Sequence, residues 1–263
     1  MISFEHVAKR YPGGMQALSD VSFRVQAGEL VFVTGHSGAG KSTLLKLIAL
    51  LERPSRGQVL FDGRNVAKLA RRQIPYLRRR IGVIFQDHRL LSDKRVFDNV
   101  ALPLLIAGWP FPEIQRRVRA ALDKVGLAEK EKLYPPMLSG GEQQRVGIAR
   151  AIIGRPPVVL ADEPTGNLDP TLSAEIMNYF LRLNETGVTV LIASHDLDLI
   201  KSLGRRVLVL SRGEIVDDVT PRASVAEADT DAPEVRVPPR SPKSSKSPDP
   251  PESPEPPGQG ALW

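Results

Sequence analysis

The sequence predicts an α/β fold in which a parallel sheet is interrupted by a helical insert. The segments "LVFVTG" (30–35), "PVVLAD" (157–162) and "VTVLIAS" (188–194) are continuously apolar, which is typical of strands buried on both faces. Helical segments separate them, as in parallel sheets that are built from crossover connections. The stretch from about residue 87 to 155 is mostly helical in character, so we expect it to form the insert.

The other predicted strands flank this core. "ISFEHV" (2–7) and "VSFRV" (21–25) alternate apolar and polar residues, as half-buried strands do. "IGVIF" (81–85) and "RRVLVLS" (205–211) are short apolar runs and complete the predicted sheet. The chain shows no internal repeat.

The predicted helices follow the same order. "STLLKLIALL" (42–51) comes first, and three helices in the insert follow at 96–108, 112–126 and 140–153. A further helix begins in "GNLDPTLSAE" (166–175), where Asp169 is the expected N-cap and Pro170 the first helical residue.

The segment from about Pro221 to the end has a different composition. It contains 11 of the 23 prolines, in runs such as "PPRSPKSSKSPDPPESPEPPGQG". Such a segment buries too little apolar surface to fold alone. We therefore expect residues 1–220 to form the folded domain and residues 221–263 to be a disordered, Pro-rich tail that serves as a linker or docking arm.

Composition excludes several classes of protein. The chain has 263 residues, of which 41% are hydrophobic and 25% charged, and it has no cysteine, which excludes a disulfide framework and cysteine-based metal sites. The first residues lack the apolar region of a secretory signal, so we expect none. The longest apolar run, 100–109, is well short of the roughly 18–20 residues of a membrane-spanning helix. We expect contact with a membrane or a membrane protein without a helical crossing.

Positive charge is concentrated in the first 220 residues. Residues 221–263 hold five of the 36 Lys and Arg and seven of the 30 Asp and Glu, which leaves 31 basic against 23 acidic residues before them. Basic clusters occur in "ARRQIPYLRRR" (70–80) and "QRRVR" (115–119). A solvated face, an anionic membrane surface and nucleic acid are the three alternatives for these clusters.

The segment "GHSGAGKS" (35–42) predicts a phosphate-binding loop. It fits G-x-x-x-x-G-K-[ST], follows a predicted strand and opens a predicted helix, which is the context that the motif requires. Backbone N–H groups and the helix N-terminus attract phosphate oxygens, Lys41 reaches the β- and γ-phosphates, and Ser42 is a ligand for Mg²⁺. The expected nucleotide-binding residues of this segment are Gly35, His36, Ser37, Gly38, Ala39, Gly40, Lys41, Ser42 and Thr43, with His36 contributing only as a loop residue.

Two acids end the apolar segment "PVVLADE" (157–163). Asp162 has the position of the carboxylate that helps to hold Mg²⁺ in P-loop hydrolases. Glu163 follows it directly, close to the place of an attacking water, and a carboxylate there can accept or orient the proton of that water. We therefore predict that Asp162 is a metal ligand and that Glu163 is catalytic.

A P-loop, a carboxylate pair, an "LSGG" segment and a histidine after a strand ("LIASH", 191–195) occur in one chain. In this combination residues 1 to about 218 resemble the ATP-binding cassette (ABC) ATPases. The resemblance implies a P-loop NTPase (RecA-like) parallel-sheet core, an N-terminal antiparallel β subdomain and an inserted helical subdomain. It also implies hydrolysis of ATP to ADP and phosphate, with ATP and Mg²⁺ bound.

The resemblance also gives a role to "LSGGEQQR" (138–145). In the ABC family two such domains pack head to tail, and "LSGG" faces the γ-phosphate that the other domain binds. The residues that match are Ser139, Gly140, Gly141 and Glu142, and Glu142 departs from the glutamine that is usual at its position. The serine is a hydrogen-bond donor, and the glycines and the helix N-terminus favour a close anion.

Four more residues match family positions. Tyr11 in "RYPGG" matches the aromatic residue that stacks on adenine. Gln86 in "VIFQD" matches the glutamine that touches Mg²⁺ or water, Asp169 the aspartate that follows the carboxylate pair, and His195 the histidine that contacts the γ-phosphate. The resemblance therefore implies that Gln86 and His195 are catalytic, that Gln86 is also a metal ligand, and that Tyr11 and Asp169 contact nucleotide.

Within the family, "IGVIFQDHRLL" (81–91) and three other segments resemble the cassettes of cell division. This implies a homodimer at the cytoplasmic face of the cell membrane, held by an integral membrane subunit and controlling septal cell-wall hydrolysis. The tail is then a docking arm for other division proteins, and no nucleic acid is expected. The alternatives are a lipoprotein-release or macrolide-export cassette, a soluble cassette that acts on nucleic acid, and a cassette that binds ATP without hydrolysis, against which Glu163 and His195 argue.

Overall fold

A computed structural model describes residues 1–166 and 168–220 of the chain. The predicted Pro-rich tail, 221–263, lies outside the described residues. The strands are β1 (Ile2–Arg10), β2 (Gln16–Val25), β3 (Leu30–Thr34), β4 (Arg56–Phe61), β5 (Arg64–Asn65), β6 (Ile81–Ile84), β7 (Val158–Asp162), β8 (Thr189–Ala193), β9 (Arg206–Ser211) and β10 (Glu214–Val219). The α-helices are α1 (Lys41–Ile48), α2 (Ile74–Arg78), α3 (Val96–Ile106), α4 (Phe111–Lys124), α5 (Gly140–Ile152), α6 (Pro170–Glu185) and α7 (Leu197–Leu203).

The larger sheet is the core of the domain. Its strand order is β10-β9-β3-β8-β7-β6, and the five strands from β9 to β6 are parallel. All five residues of β3 and of β8 are buried, which explains why these segments are continuously apolar. Because parallel strands end at the same edge, residues that follow β3, β8, β7 and β6 lie side by side along one edge of the sheet.

A second, antiparallel sheet has the order β2-β1-β4-β5. Its inner face carries Ile2, Phe4 and Val25 into the same apolar cluster as α1 and part of the larger sheet. Phe4 stacks on Phe23 at 4.6 Å between ring centroids, within this cluster. The alternation of apolar and polar residues in β1 and β2 follows from burial of only one face.

Helices α3, α4 and α5 share a separate apolar cluster. On α4 the buried residues Ile114, Val118 and Leu122 recur every four positions, which places them on one face. The C-terminal end of α5 also contacts β6, where a Cβ on Gly82 would lie 2.5 Å from the carbonyl oxygen of Ala151. These helices lie inside the range 87–155 that the sequence predicts for the insert.

The predicted fold class is confirmed for residues 1–166 and 168–220, but several elements lie outside the sequence prediction. Strands β4, β5 and β10 and helices α2 and α7 were not predicted. Strand β10, "EIVDDV", has no fully buried residue and shows no strong apolar alternation. It is held as a strand by its antiparallel pairing with β9.

Candidate active site

Three neighbouring strands of the larger sheet carry most of the predicted site. The P-loop follows β3, the acids Asp162 and Glu163 stand at the end of β7, and His195 follows β8, which lies between β3 and β7. The amide of Glu163 donates to the carbonyl oxygen of Ala193 at 2.9 Å, which ties the end of β7 to the end of β8. The sheet order therefore brings residues together that are up to 160 positions apart in the sequence.

The P-loop is closely packed at two of its glycines. Gly35 has φ of 148°, and a Cβ on it would lie 2.1 Å from the carbonyl oxygen of Leu210. Gly40 has φ of 111°, and a Cβ on it would lie 2.5 Å from the carbonyl oxygen of Ala17. Only glycine fits these two positions. The rest of the loop surrounds them: Ala39 is buried, and His36, Ser37 and Gly38 are exposed. The His36 ring pairs with the carbonyl oxygen of Ser37 at 2.8 Å, consistent with a loop residue.

Lys41 is the buried cation of the loop. Its ammonium donates to the carbonyl oxygen of Gly35 at 2.8 Å and lies 3.4 Å from Oε1 of Glu163. Its side chain is only 9% exposed and that of Glu163 11%, so the pair is shielded from solvent. A buried ammonium with two oxygen acceptors in place is suited to hold a phosphate oxygen.

Ser42 and Asp162 provide adjacent oxygen donors. The hydroxyl of Ser42 donates to Oδ1 of Asp162 at 3.0 Å. Burial raises the pKa of Asp162, and the hydrogen bond from Ser42 partly opposes this. Mg²⁺ prefers oxygen ligands and keeps several positions for water and phosphate, so this pair fits the ion. Among residues 1–166 and 168–220 there is no cluster of three or more His, Cys, Asp or Glu that could hold a metal by itself.

Glu163 and His195 form a hydrogen-bonded pair at the same edge. Nδ1 of His195 lies 2.8 Å from Oε2 of Glu163, and the histidine side chain is 67% exposed. Glu163 has φ of 48°, in the left-handed region that non-glycine residues seldom adopt. The two oxygens of Glu163 thus contact Lys41 on one side and His195 on the other, which fixes the carboxylate beside the P-loop lysine.

Tyr11 lies beside the first turn of α1. Its hydroxyl is 3.4 Å from Oγ1 of Thr43, and the ammonium of Lys9 lies 4.8 Å from the centre of its ring. The side chain is half-buried. The structure therefore places this aromatic ring next to the P-loop helix. The family resemblance implies that this residue stacks on adenine.

The "LSGG" segment makes a different set of contacts. Ser139 is the N-cap of α5, and its hydroxyl accepts from the amide of Glu142 at 3.3 Å while Oε2 of Glu142 accepts from the amide of Ser139 at 2.9 Å. Lys130 donates a hydrogen bond to Oε1 of Glu142, which with the amide of Ser139 lowers the pKa of that carboxyl. Ser139 and Gly140 are exposed.

The two glycines of "LSGG" have different surroundings. A Cβ on Gly140 would meet no heavy atom within 4 Å, whereas a Cβ on Gly141 would lie 2.2 Å from Cδ2 of Leu172. Leu172 belongs to the first turn of α6, whose N-cap is Asp169, as the sequence predicts. A side chain at Gly141 would therefore displace Leu172, whereas Gly140 leaves an open surface.

Gln86 follows β6 and is exposed. The turn after it is held by Arg150 of α5, whose guanidinium donates to the carbonyl oxygens of His88 at 2.6 Å and Arg89 at 2.7 Å. His88 and Arg89 have φ of 57° and 45°, so the turn has a conformation that needs such support. Sequence reasoning missed Arg150, and no local pattern marks it, because its acceptors lie 62 and 61 residues away.

Three of the five arginines in the basic cluster at 70–80 make contacts within the domain. Arg78 donates to the carbonyl oxygen of Leu50 at 2.9 Å and Arg79 to that of Ile106 at 2.8 Å, and Arg80 forms an ion pair with Asp62 at 2.6 Å. These contacts favour the interpretation of a solvated, structural face over a surface reserved for an anionic partner. In the part of the chain that the structure describes, no helix has the length and apolarity to span a bilayer.

In the comparison with protein families, residues 18–166 match the family described as ABC transporter. Among curated proteins, the cell division ATP-binding protein FtsE of Escherichia coli (strain K12) is 60% identical over 215 residues, which cover 82% of this chain and 97% of the relative. FtsE of Bacillus subtilis (strain 168) is 45% identical over 218 residues, covering 83% of this chain and 96% of the relative.

A solved structure with the same fold is the ATP-binding cassette MJ0796, in a dimeric post-hydrolysis state bound to ADP and Pi. It is 35% identical in sequence, and the TM-score is 0.80 over 84% of this chain and 99% of that one. A further dimeric structure of the same cassette matches equally well. The residues that match the ABC transporter family, 18–166, contain the P-loop, the carboxylate pair and the "LSGG" segment of this chain.

Proposed function

Because the chain belongs to the ABC transporter family, we propose that two copies of it form two composite ATP sites, each between the P-loop of one copy and the "LSGG" segment of the other. The chain is an ATPase, and the neighbour MJ0796 was captured as a dimer after hydrolysis. One observation carries the proposal best. Lys41, Glu163 and His195 form a continuous set of close polar contacts next to the pair formed by Ser42 and Asp162.

In this site the P-loop amides and Lys41 hold the phosphates of ATP, and Tyr11 stacks on adenine. Ser42, Asp162 and Gln86 would hold Mg²⁺, which would neutralise negative charge on the phosphates of ATP. From the second copy, Ser139 and the amides near Gly140 and Gly141 approach the γ-phosphate, with Glu142 and Asp169 beside them. The remaining P-loop residues named above, from His36 to Thr43, complete the pocket.

Glu163 acts on the attacking water. The water oxygen bonds to the γ-phosphorus, the bond from that phosphorus to the β-bridging oxygen breaks, and ADP and inorganic phosphate form. The carboxylate of Glu163 orients the water and accepts its proton. With Glu163 ionised, Nδ1–H of His195 donates to its Oε2, and Nε2 donates to a γ-phosphate oxygen when the ring carries a proton on both nitrogens.

The relatives support a role in cell division. FtsE is named as a cell division ATP-binding protein in species as distant as Escherichia coli and Bacillus subtilis, and the likeness extends over nearly the whole of each relative. We infer that this chain acts as a homodimer with an integral membrane subunit resembling FtsX, at the cytoplasmic face of the membrane, in control of septal cell-wall hydrolysis. In this scheme residues 1–220 form the ATPase domain with its helical insert at 87–155, and residues 221–263 dock other division proteins.

The hydrolytic role is tested by Glu163→Gln. The amide cannot accept a proton, so we expect single-turnover hydrolysis to fall by about 10²–10⁴-fold while ATP remains bound and holds the dimer. Glu185→Gln is the matched control, because it makes the same change on an exposed residue at the end of α6. Unchanged single-turnover hydrolysis in Glu163→Gln would remove Glu163 from the mechanism.

A pull-down from detergent-solubilised membranes, with the full chain as bait and mass spectrometry as readout, tests the partner. Recovery of a membrane subunit of the FtsX kind supports the cell-division role. Recovery of a lipoprotein-release or macrolide-export subunit instead would assign the chain to that alternative.

A further inference from the structure

A lysine outside all of the sequence motifs contacts the acidic residue of "LSGGE". Lys130 ends a short 3-10 helix, Ala128–Lys130, and donates a hydrogen bond to Oε1 of Glu142. The side chain of Lys130 is 38% exposed and that of Glu142 18% exposed, so the pair is partly shielded from solvent. Since Lys130 and the amide of Ser139 lower the pKa of Glu142, this residue is a carboxylate at neutral pH.

The carboxylate divides its two oxygens between two tasks. Oε2 accepts from the amide of Ser139, which fixes the backbone at the start of α5, and Oε1 accepts from Lys130. The hydroxyl of Ser139 accepts from the amide of Glu142, so its own proton is available for an acceptor outside the helix. Glu142 therefore orients the serine for a hydrogen bond directed away from the helix.

The same carboxylate presents an electrostatic difficulty. The N-terminus of a helix attracts an anion through its exposed amides and partial positive charge. Glu142 lies in the first turn of α5, where its charge opposes the approach of a second anion. An uncompensated carboxylate at this position would weaken the attraction for phosphate while it stabilises the helix itself.

We propose that Lys130 is a positioning residue for the ATP-driven pairing of two chains, because it offsets the charge of Glu142 at the end of α5 that meets the phosphate. This inference rests on the proposed composite site. Lys130 keeps the carboxylate in its capping role, and the amides of "LSGG" keep their attraction for the γ-phosphate bound by the other copy. The pair of Lys130 with Glu142 thereby substitutes for the neutral glutamine that is usual in the family.

The parent for the test is the full chain with Glu163→Gln, which retains ATP without hydrolysing it. Sedimentation velocity measures the fraction of dimer as a function of Mg·ATP concentration. Lys130→Met removes the charge and keeps most of the stem. We expect the ATP concentration for half-dimerisation to rise about three- to tenfold in Lys130→Met, as for a partly exposed charge interaction. Adding Glu142→Gln should restore it to within about twofold of the parent, because neither charge then remains.

Two control variants exclude simpler explanations. Lys132→Met removes an exposed lysine two positions away and should dimerise like the parent. Lys130→Arg retains the charge and should also dimerise like the parent, with thermal melts that match it. If Lys130→Arg is as weak as Lys130→Met, the shape of lysine rather than its charge matters and the inference is wrong.

The remaining outcomes are also decisive. If the parent dimerises with ATP and Lys130→Met dimerises equally well, the inference about Lys130 is wrong and the composite site stands. If the double variant stays as weak as Lys130→Met, Lys130 acts on the phosphate directly and not through Glu142. A parent that fails to dimerise with ATP at any protein concentration overturns the composite site and this inference together.

Discussion

The P-loop edge and the "LSGG" segment differ in how much of their geometry one chain supplies. At the P-loop edge, Glu163 contacts Lys41 at 3.4 Å and His195 at 2.8 Å, and the three residues follow three different strands. At the "LSGG" segment, the polar contacts of Ser139 are the reciprocal bonds of its own helix cap, and Gly140 faces an open surface. The first region is assembled by long-range packing, whereas the helix cap of the second is formed by its local sequence.

This difference has a consequence for catalysis. A region whose groups are already in contact can bind the nucleotide and orient the water within one chain. A helix N-terminus with an outward hydroxyl and an uncovered glycine is an anion-binding surface that requires a ligand presented from outside. Four experiments test this division, beginning with the one of largest expected effect.

Lys41→Ala should abolish the capacity of the P-loop edge to hold ATP. The lysine is the buried cation of the loop, so we expect Mg·ATP affinity, measured by calorimetry, to fall about ten- to a hundredfold or more. Lys201→Ala, at an exposed position of α7, is the matched control and should bind normally. Equal affinity in Lys41→Ala and the control would mean that the P-loop does not bind nucleotide.

Mixed dimers test whether the "LSGG" segment serves the other chain. Ser139→Arg should block the phosphate path at "LSGG", and Lys41→Ala should empty the P-loop, so each variant alone has two defective sites. A mixed dimer has one site with both defects and one with neither. About half of the pairs in an equal mixture are mixed dimers. We therefore expect mixing to restore up to about half of the ATP-driven dimer signal, measured by sedimentation with labelled chains. No recovery between folded, exchanging variants would show that each chain uses its own "LSGG".

Gly140→Ala and Gly141→Ala form a matched pair that separates packing from recognition. Gly141→Ala places a methyl group against Leu172, so we expect a loss of unfolding free energy of about 1 kcal/mol, which the mobile end of the leucine limits. Gly140→Ala meets open space and should leave the melting temperature unchanged while it weakens ATP-driven dimerisation. The reverse pattern would contradict the assignment of Gly140 to the open surface.

Asp162→Asn should have a modest effect on stability with a clear dependence on pH. Burial raises the pKa of Asp162, so the folded state binds its proton more readily than the unfolded state, and stability falls as pH rises through the raised pKa. The asparagine removes this cost and retains an oxygen for Ser42. We expect the variant to melt a few degrees higher than wild type at pH 7, with the difference vanishing below the ordinary pKa of aspartate. We also expect the variant to bind Mg·ATP more weakly than wild type. A melting temperature below that of wild type at pH 7 would contradict the predicted stabilisation.

Much of this molecule was determined by local sequence. The buried strands β3, β7 and β8 are continuously apolar because both of their faces are covered, and α4 repeats its apolar residues every four positions because one face is covered. The cap of α6 by Asp169 and the glycine pattern of the P-loop depend on residues within a few positions of each other. Such features can be predicted because their physical cause lies inside a short segment.

Tertiary structure alone decided the rest. It gave β10 its pairing, brought Arg150 to a turn 61 residues away, and separated Gly141, which packs on Leu172, from Gly140, which does not. It also placed Lys130 on Glu142 and Lys41 on Glu163. These contacts join segments whose separation leaves no trace in local periodicity, because the order of strands and the packing of helices determine which side chains meet. The sequence therefore determined which chemical groups this protein contains, and the fold determined which of them act together.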